Sequence, residues 1–180
     1  MVGTYQKYGV KFVLAMPGGL EPSVAMQMYQ QLKEGDALNY FFWFESNIPH
    51  ADRGSQKSFL DYLEKTPTLV CLDLDTNDFL GCVWWTDVVT GFQAHIGVCY
   101  KRQVPREKTS ACTAGALDWA FETQEMRQIW ATTPWSAVVK HCETFGAWRE
   151  TSLPSYFPHK GKTLDLHVLR TLPMEGRFNG

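Results

Sequence analysis

Short apolar runs, stretches of helical spacing and turn residues succeed one another along this chain. Val10 to Ala15 is an apolar run closed by Pro17, Gly18 and Gly19, which predicts a strand ended by a turn. Glu21 and Pro22 then open a helix at Ser23, whose apolar residues Val24, Met28 and Leu32 recur near helical spacing until Gly35 stops it. The run Leu38 to Phe44 fits a strand or a buried helix. Ser55 to Leu63 reads as a helix with Phe59, Leu60 and Leu63 on one face and Pro67 just past its end.

From Thr68 the pattern changes to a meander. Leu69 to Leu72 is a strand, Asp75 to Asp78 a hairpin turn, Phe79 to Val89 a second strand, and Phe92 to Tyr100 a third, reached through Thr90 and Gly91. A helix from about Lys108 to Thr123 follows. Then come a strand at Gln128 to Thr132, a helix from Ser136 to Thr144 ended by Gly146, and two last strands near Arg149 to Tyr156 and Thr163 to Leu169. This order predicts an α/β (α+β) layout in which helices flank a mixed, mostly antiparallel sheet. One domain over residues 1–172 accounts for the pattern, with a polar, flexible tail at 173–180.

Composition narrows the class. The 180 residues are 44% apolar and 20% charged, enough for one globular core without staples. Seven Trp raise the aromatic share to 14%, which suits either a bulky core or an apolar surface that meets a cofactor or a partner, a second copy of the chain included. A net charge of −2 offers no general field for nucleic acid or an anionic membrane, so any anion site is local. No apolar run is long enough to span a bilayer and no signal peptide opens the chain, so a cytoplasmic protein, or one entering a particle from the cytosol, is expected. The five cysteines are odd in number and lack a CxxC pair, and the five histidines have no ligand spacing; reduced core thiols and no metal are expected.

Chemistry concentrates where the third meander strand meets its helix, Tyr100-Lys101-Arg102-Gln103-Val104-Pro105-Arg106-Glu107-Lys108-Thr109-Ser110-Ala111. Free N–H groups at a helix start, with Lys101, Arg102, Arg106 and Lys108 beside them and small residues behind, suit a phosphate or pyrophosphate. The same residues also fit a plain N-cap at Thr109 or Ser110 with a solvated basic rim. His95 is the best titratable base on the predicted central strand, since an imidazole titrates near pH 6.5; a packed, satisfied core histidine is the alternative.

These residues resemble the GNAT acyl-CoA N-acyltransferases. Arg106-x-x-Thr109-x-Ala111 is similar to that family's Q/R-x-x-G-x-G/A loop, with Thr at a Gly position. Ala116-Leu117-Asp118-Trp119-Ala120-Phe121-Glu122 resembles its "LLxWAFE" helix end, Arg127 to Ala131 the following strand, Glu143 to Ala147 the "EKLGF" turn, and Lys160 to Asp165 the last hairpin. The likeness covers about residues 68–170. The His95 strand, with Ala131 to Pro134, looks most like divergent members encoded by tailed bacteriophages.

The resemblance implies a single GNAT-like domain that takes acetyl-CoA as substrate and passes the acetyl group to an unidentified amine, without a metal. It implies that Arg106, Lys108, Thr109, Ser110 and Ala111 hold the pyrophosphate and that the Val98 and Tyr100 amides bind the pantetheine. It places Cys142 where members carry the Tyr that protonates the departing thiolate; a buried helix thiol is the alternative there. The second functional reading is a catalytically degenerate scaffold, a phage particle or host-takeover component with protein partners. It is motivated by the altered Gly loop, the missing Tyr and the aromatic surplus. If phage-encoded, the chain belongs to the host cytoplasm or the virion.

Overall fold

The alternation read from the sequence is realised as β1 (Gly3–Lys7), β2 (Val10–Ala15), α1 (Pro22–Glu34), α2 (Gln56–Lys65), β3 (Thr68–Asp73), β4 (Phe79–Val89), β5 (Gln93–Tyr100), α3 (Arg106–Thr123), β6 (Gln128–Thr133), α4 (Ser136–Glu143), β7 (Trp148–His159) and β8 (Lys162–Thr171). This computed structural model describes residues 3–34, 55–159 and 161–174. The run Leu38 to Phe44, the stop at Gly35 and the tail from residue 175 lie outside the described residues.

The strands follow the order β1-β2-β3-β4-β5-β6-β8-β7. β1–β2, β2–β3, β3–β4, β6–β8 and β7–β8 pair antiparallel, and β5–β6 pair parallel from Gln93↔Gln128 to His95↔Trp130. This is the predicted α/β class, with four helices among the described residues. By contacts the chain divides into two compact units. The first holds the residues up to Thr86 with Gly97–Ala116, and the second holds Asp87–Ile96 with the residues from Leu117.

In the first unit α1 and α2 close on the sheet. Ala25, Met28, Tyr29 and Leu32 join Phe59, Tyr62 and Leu63 over Val70, Phe79, Cys82, Trp84 and Cys99. Each Val, Leu, Met or Phe among them contributes about 1.5–3 kcal/mol by leaving water. Val24, expected on this face, is 42% exposed. A four-residue step overshoots one helical turn by about 40°, so the buried stripe runs through Ala25 and Tyr29 instead. Leu60 packs only at the margin, and Tyr62 takes its place. Ser55 caps α2 by accepting the Ser58 N–H at 3.1 Å. On α3, Gly115 leaves room for Phe12: a Cβ there would stand 2.5 Å from the Phe12 Cζ.

The sequence pattern did not predict β1. Its residues are mostly exposed, and it joins β2 through Tyr8 and Gly9 at φ 55 and 69, a two-residue turn with both central residues left-handed.

In the second unit Ile129 and Leu169 are fully buried on β6 and β8, where Ala131 faces Leu169 across the pair. Long β7 bends at Ser155, φ 50, whose N–H donates to Asp165 Oδ1 at 3.0 Å. Two of the surplus tryptophans serve this sheet. The Arg170 guanidinium lies 5.4 Å from the Trp130 ring centre and 4.9 Å from that of Trp148, and ion-pairs with Glu150.

Candidate functional site

The end of β5 is fixed by the Lys101 N–H, which donates to the Leu80 carbonyl of β4 at 3.0 Å. Successive N–H groups of a strand point to opposite edges, so those of Val98 and Tyr100 turn away from β4. The β5–β6 register, meanwhile, stops at His95. The Val98 side chain is exposed. The Tyr100 hydroxyl lies 2.8 Å from Thr113 Oγ1, and burial pushes the phenol well above its ordinary pKa.

Past Tyr100 the chain turns, the Val104 N–H donating to the Lys101 carbonyl at 3.1 Å, and α3 begins at Arg106 directly after Pro105. The expected cap at Thr109 or Ser110 is therefore corrected: both lie inside the helix. The Thr109 N–H already donates to the Pro105 carbonyl at 3.1 Å, and its hydroxyl to the Arg106 carbonyl at 2.9 Å. Two local signals compete here, a Thr-Ser pair and a proline, and the proline wins because its fixed φ and missing N–H suit a helix entrance. The N–H groups without an intrahelical partner are those of Arg106, Glu107 and Lys108. Ser110 is half-buried and Ala111 buried behind them.

The basic residues divide. Arg102 and Arg106 are exposed and form no ion pair among the described residues. Lys101 donates to Gln31 Oε1 at 3.2 Å. Lys108 turns back to Asp73, its Nζ 2.9 Å from Oδ2. That ammonium, with the Asp75 and Thr76 N–H groups, holds the Asp73 carboxyl below its usual range, and Asp73 in turn raises Lys108. Neither Asp73 nor its role could be read from the sequence, because it depends on β3 lying beside the first turn of α3.

In the second unit His95 faces Trp130 in register, and its Nε2 lies 3.3 Å from Thr132 Oγ1. Burial pushes the imidazole below its ordinary value, and the charge of Asp87, a residue at φ 50, partly opposes this. Cys142 is half-buried on α4, and burial pushes its thiol up to about 11. A second histidine, His167, is buried with Nδ1 2.8 Å from Ser152 Oγ. Along the sequence it is one of five dispersed histidines, and only the β7–β8 pairing brings it to Ser152. All five cysteines are free thiols. Among the described residues no three His, Cys, Asp or Glu side chains gather as metal ligands, and no helix is long and apolar enough to cross a membrane.

The junction thus offers three helix-start N–H groups and the exposed guanidiniums of Arg102 and Arg106 to an anion, and strand amides to a carbonyl. No protein-family model and no curated protein matches the sequence. The fold is similar to solved acetyltransferase structures. A GCN5-related N-acetyltransferase from Brucella melitensis superposes with a TM-score of 0.70 at 13% identity, over 94% of this chain and 78% of that one. A probable GNAT-family acetyltransferase from Chromobacterium violaceum gives 0.68 at 18%, over 94% and 85%. The ribosomal-protein-S5-alanine acetyltransferase from Vibrio fischeri gives 0.67 at 14%, over 96% and 98%.

Proposed function

We propose that this chain is an N-acyltransferase that moves the acyl group of an acyl-CoA, acetyl-CoA foremost, to an amine. The observation that carries this reading is the β5–α3 junction, where the Val98 and Tyr100 amides turn off the β4 ladder just before a helix start flanked by Arg102 and Arg106. The pyrophosphate is held by the Arg106, Glu107 and Lys108 N–H groups with the two guanidiniums, while Thr109, Ser110 and Ala111 keep the approach small. The thioester carbonyl takes a hydrogen bond from the Val98 N–H, which stabilises the oxyanion formed as the amine nitrogen attacks. Neutral His95, steadied by Thr132, takes the proton that the amine loses as the C–N bond forms. The C–S bond then breaks and the CoA thiolate leaves. Cys142, with its thiol raised to about 11, stays protonated at neutral pH and serves this step as a hydrogen-bond donor. It is a weaker acid than an ordinary thiol of about 8.5, so full proton transfer from it runs uphill.

A second reading, a scaffold that has lost turnover, is favoured by one contact: Asp73 already neutralises the Lys108 cation that the resemblance assigns to the pyrophosphate. The likeness of the His95 strand to phage-encoded members directs that reading to a phage particle or host protein as partner. Calorimetric titration with CoA and acetyl-CoA separates the two. The acyltransferase reading expects micromolar binding that falls at least about tenfold in Arg106→Ala, the scale of one charge-assisted contact. Absence of binding at millimolar CoA would leave the scaffold.

A further inference from the structure

Gly97 is a glycine inside a strand, next to the amide that the proposed function gives to the thioester. Glycine within a strand marks a close approach, and here the neighbour is an indole. Four residues along β4 from Leu80 is Trp84, and four back along β5 from Lys101 is Gly97, so the Lys101–Leu80 hydrogen bond sets Trp84 opposite Gly97. A Cβ at position 97 would stand 2.1 Å from the Trp84 Cε2, 2.3 Å from Cζ2 and 2.4 Å from Nε1. The indole therefore lies flat on the β5 backbone at the residue before Val98. It is held there: Trp84 is 6% exposed, and the Tyr62 ring meets it edge-on at 6.1 Å and 89°. The face it occupies is the one that α1 and α2 cover with Tyr29, Phe59 and Leu63.

We infer that Trp84, seated on Gly97 and braced by Tyr62, determines which acyl group this protein accepts, by closing the space beside the Val98 amide to chains longer than about two or three carbons. The inference rests on the acyl-CoA reading and deepens it. An acyl chain whose carbonyl sits at the Val98 N–H begins within one residue of the indole. Lengthening the chain on that face drives methylenes into a buried ring packed against Gly97 and Tyr62. Acetyl fits against such a wall, whereas butyryl and hexanoyl do not. The residue acts through shape alone and takes no part in bond making, so truncating it changes selectivity by acyl length rather than affinity for CoA itself.

The test is calorimetric binding of CoA and of acetyl-, propionyl-, butyryl- and hexanoyl-CoA to the full chain, to Trp84→Leu and to Trp84→Phe, with thermal unfolding of each protein as the folding control. Binding needs no acceptor, so the unidentified amine does not enter. The parent is expected to bind butyryl- and hexanoyl-CoA at least about tenfold more weakly than acetyl-CoA, within the range a few misplaced methylenes command. In Trp84→Leu that ratio collapses toward one while the affinity for CoA holds. Trp84→Phe gives an intermediate ratio and decides the matter if the leucine variant does not fold. Equal binding of all acyl lengths by the parent, or an unchanged ratio in the folded variants, overturns the inference and leaves the acyl-CoA reading standing. A parent that binds neither CoA nor any acyl-CoA overturns both.

Discussion

The imidazole of His95 is useful as a base only when neutral, and its surroundings keep it so. Burial lowers its proton affinity, the largest influence on it, and Asp87 pulls the other way. The folded-state pKa is thus depressed below the ordinary 6.5 or so of the free side chain. The neutral form prevails above that depressed value, and the unfolded chain binds the extra proton first as pH falls. On the proposed acyltransferase reading, the rate of acyl transfer therefore rises with pH through an inflection below about 6.5. In Asp87→Asn, where the opposing charge is gone, the inflection should fall further. The His95 ring titrated by NMR in both proteins checks this without an acceptor, and a His95 pKa unmoved by the substitution would detach Asp87 from the base. The sequence offered His95 as either a base or a packed histidine. Its place on the central strand was legible, but the Thr132 contact and the Asp87 field follow from strand pairing that no spacing reveals.

At the scale of elements, the first turn of α3 is bound to the end of β3 by the Asp73–Lys108 pair. Lys108 sits where a helix dipole disfavours a cation, and Asp73 compensates. Lys108 was read from the sequence as a phosphate ligand because a basic residue at a helix start is also what an anion site needs. Spacing along one chain cannot tell a cation facing solvent from one turned onto a neighbouring strand. Because the Asp73 carboxyl is held below the ordinary aspartate value of about 3.9, its contribution to stability is present above that pH and is lost as pH falls through the folded-state value. Lys108→Met should lower the thermal unfolding temperature at pH 7, and the gap to the parent should close as the pH is taken below about 4. A gap of the same size at pH 3 would show that Lys108 contributes through its aliphatic stem rather than its charge.

Across the whole molecule, the order of strands and helices from β2 onward was readable because each element announces itself by period and by the turn that ends it. Two features escaped: β1, whose polar face and Tyr8–Gly9 turn lack the usual signals, and the entrance of α3, where a Thr-Ser pair imitates a cap. The charge balance has a consequence at this scale too. A chain of net charge −2 has no long-range attraction for an anion as large as CoA, so the pull is local, and among the described residues Arg102, Arg106 and the helix start are placed to supply most of it. Such short-range contacts are exposed, and salt screens them over about 10 Å at 0.1 M and about 3 Å at 1 M. The affinity for CoA should therefore fall steadily between about 0.05 and 0.5 M KCl in the parent. It should be weaker but nearly flat in Arg102→Ala/Arg106→Ala, where the screened charges are already gone. Calorimetry across that salt series reads both slopes. Parallel slopes in the two proteins would mean that the pyrophosphate meets other cations, and the anion site would then have to be sought away from the start of α3.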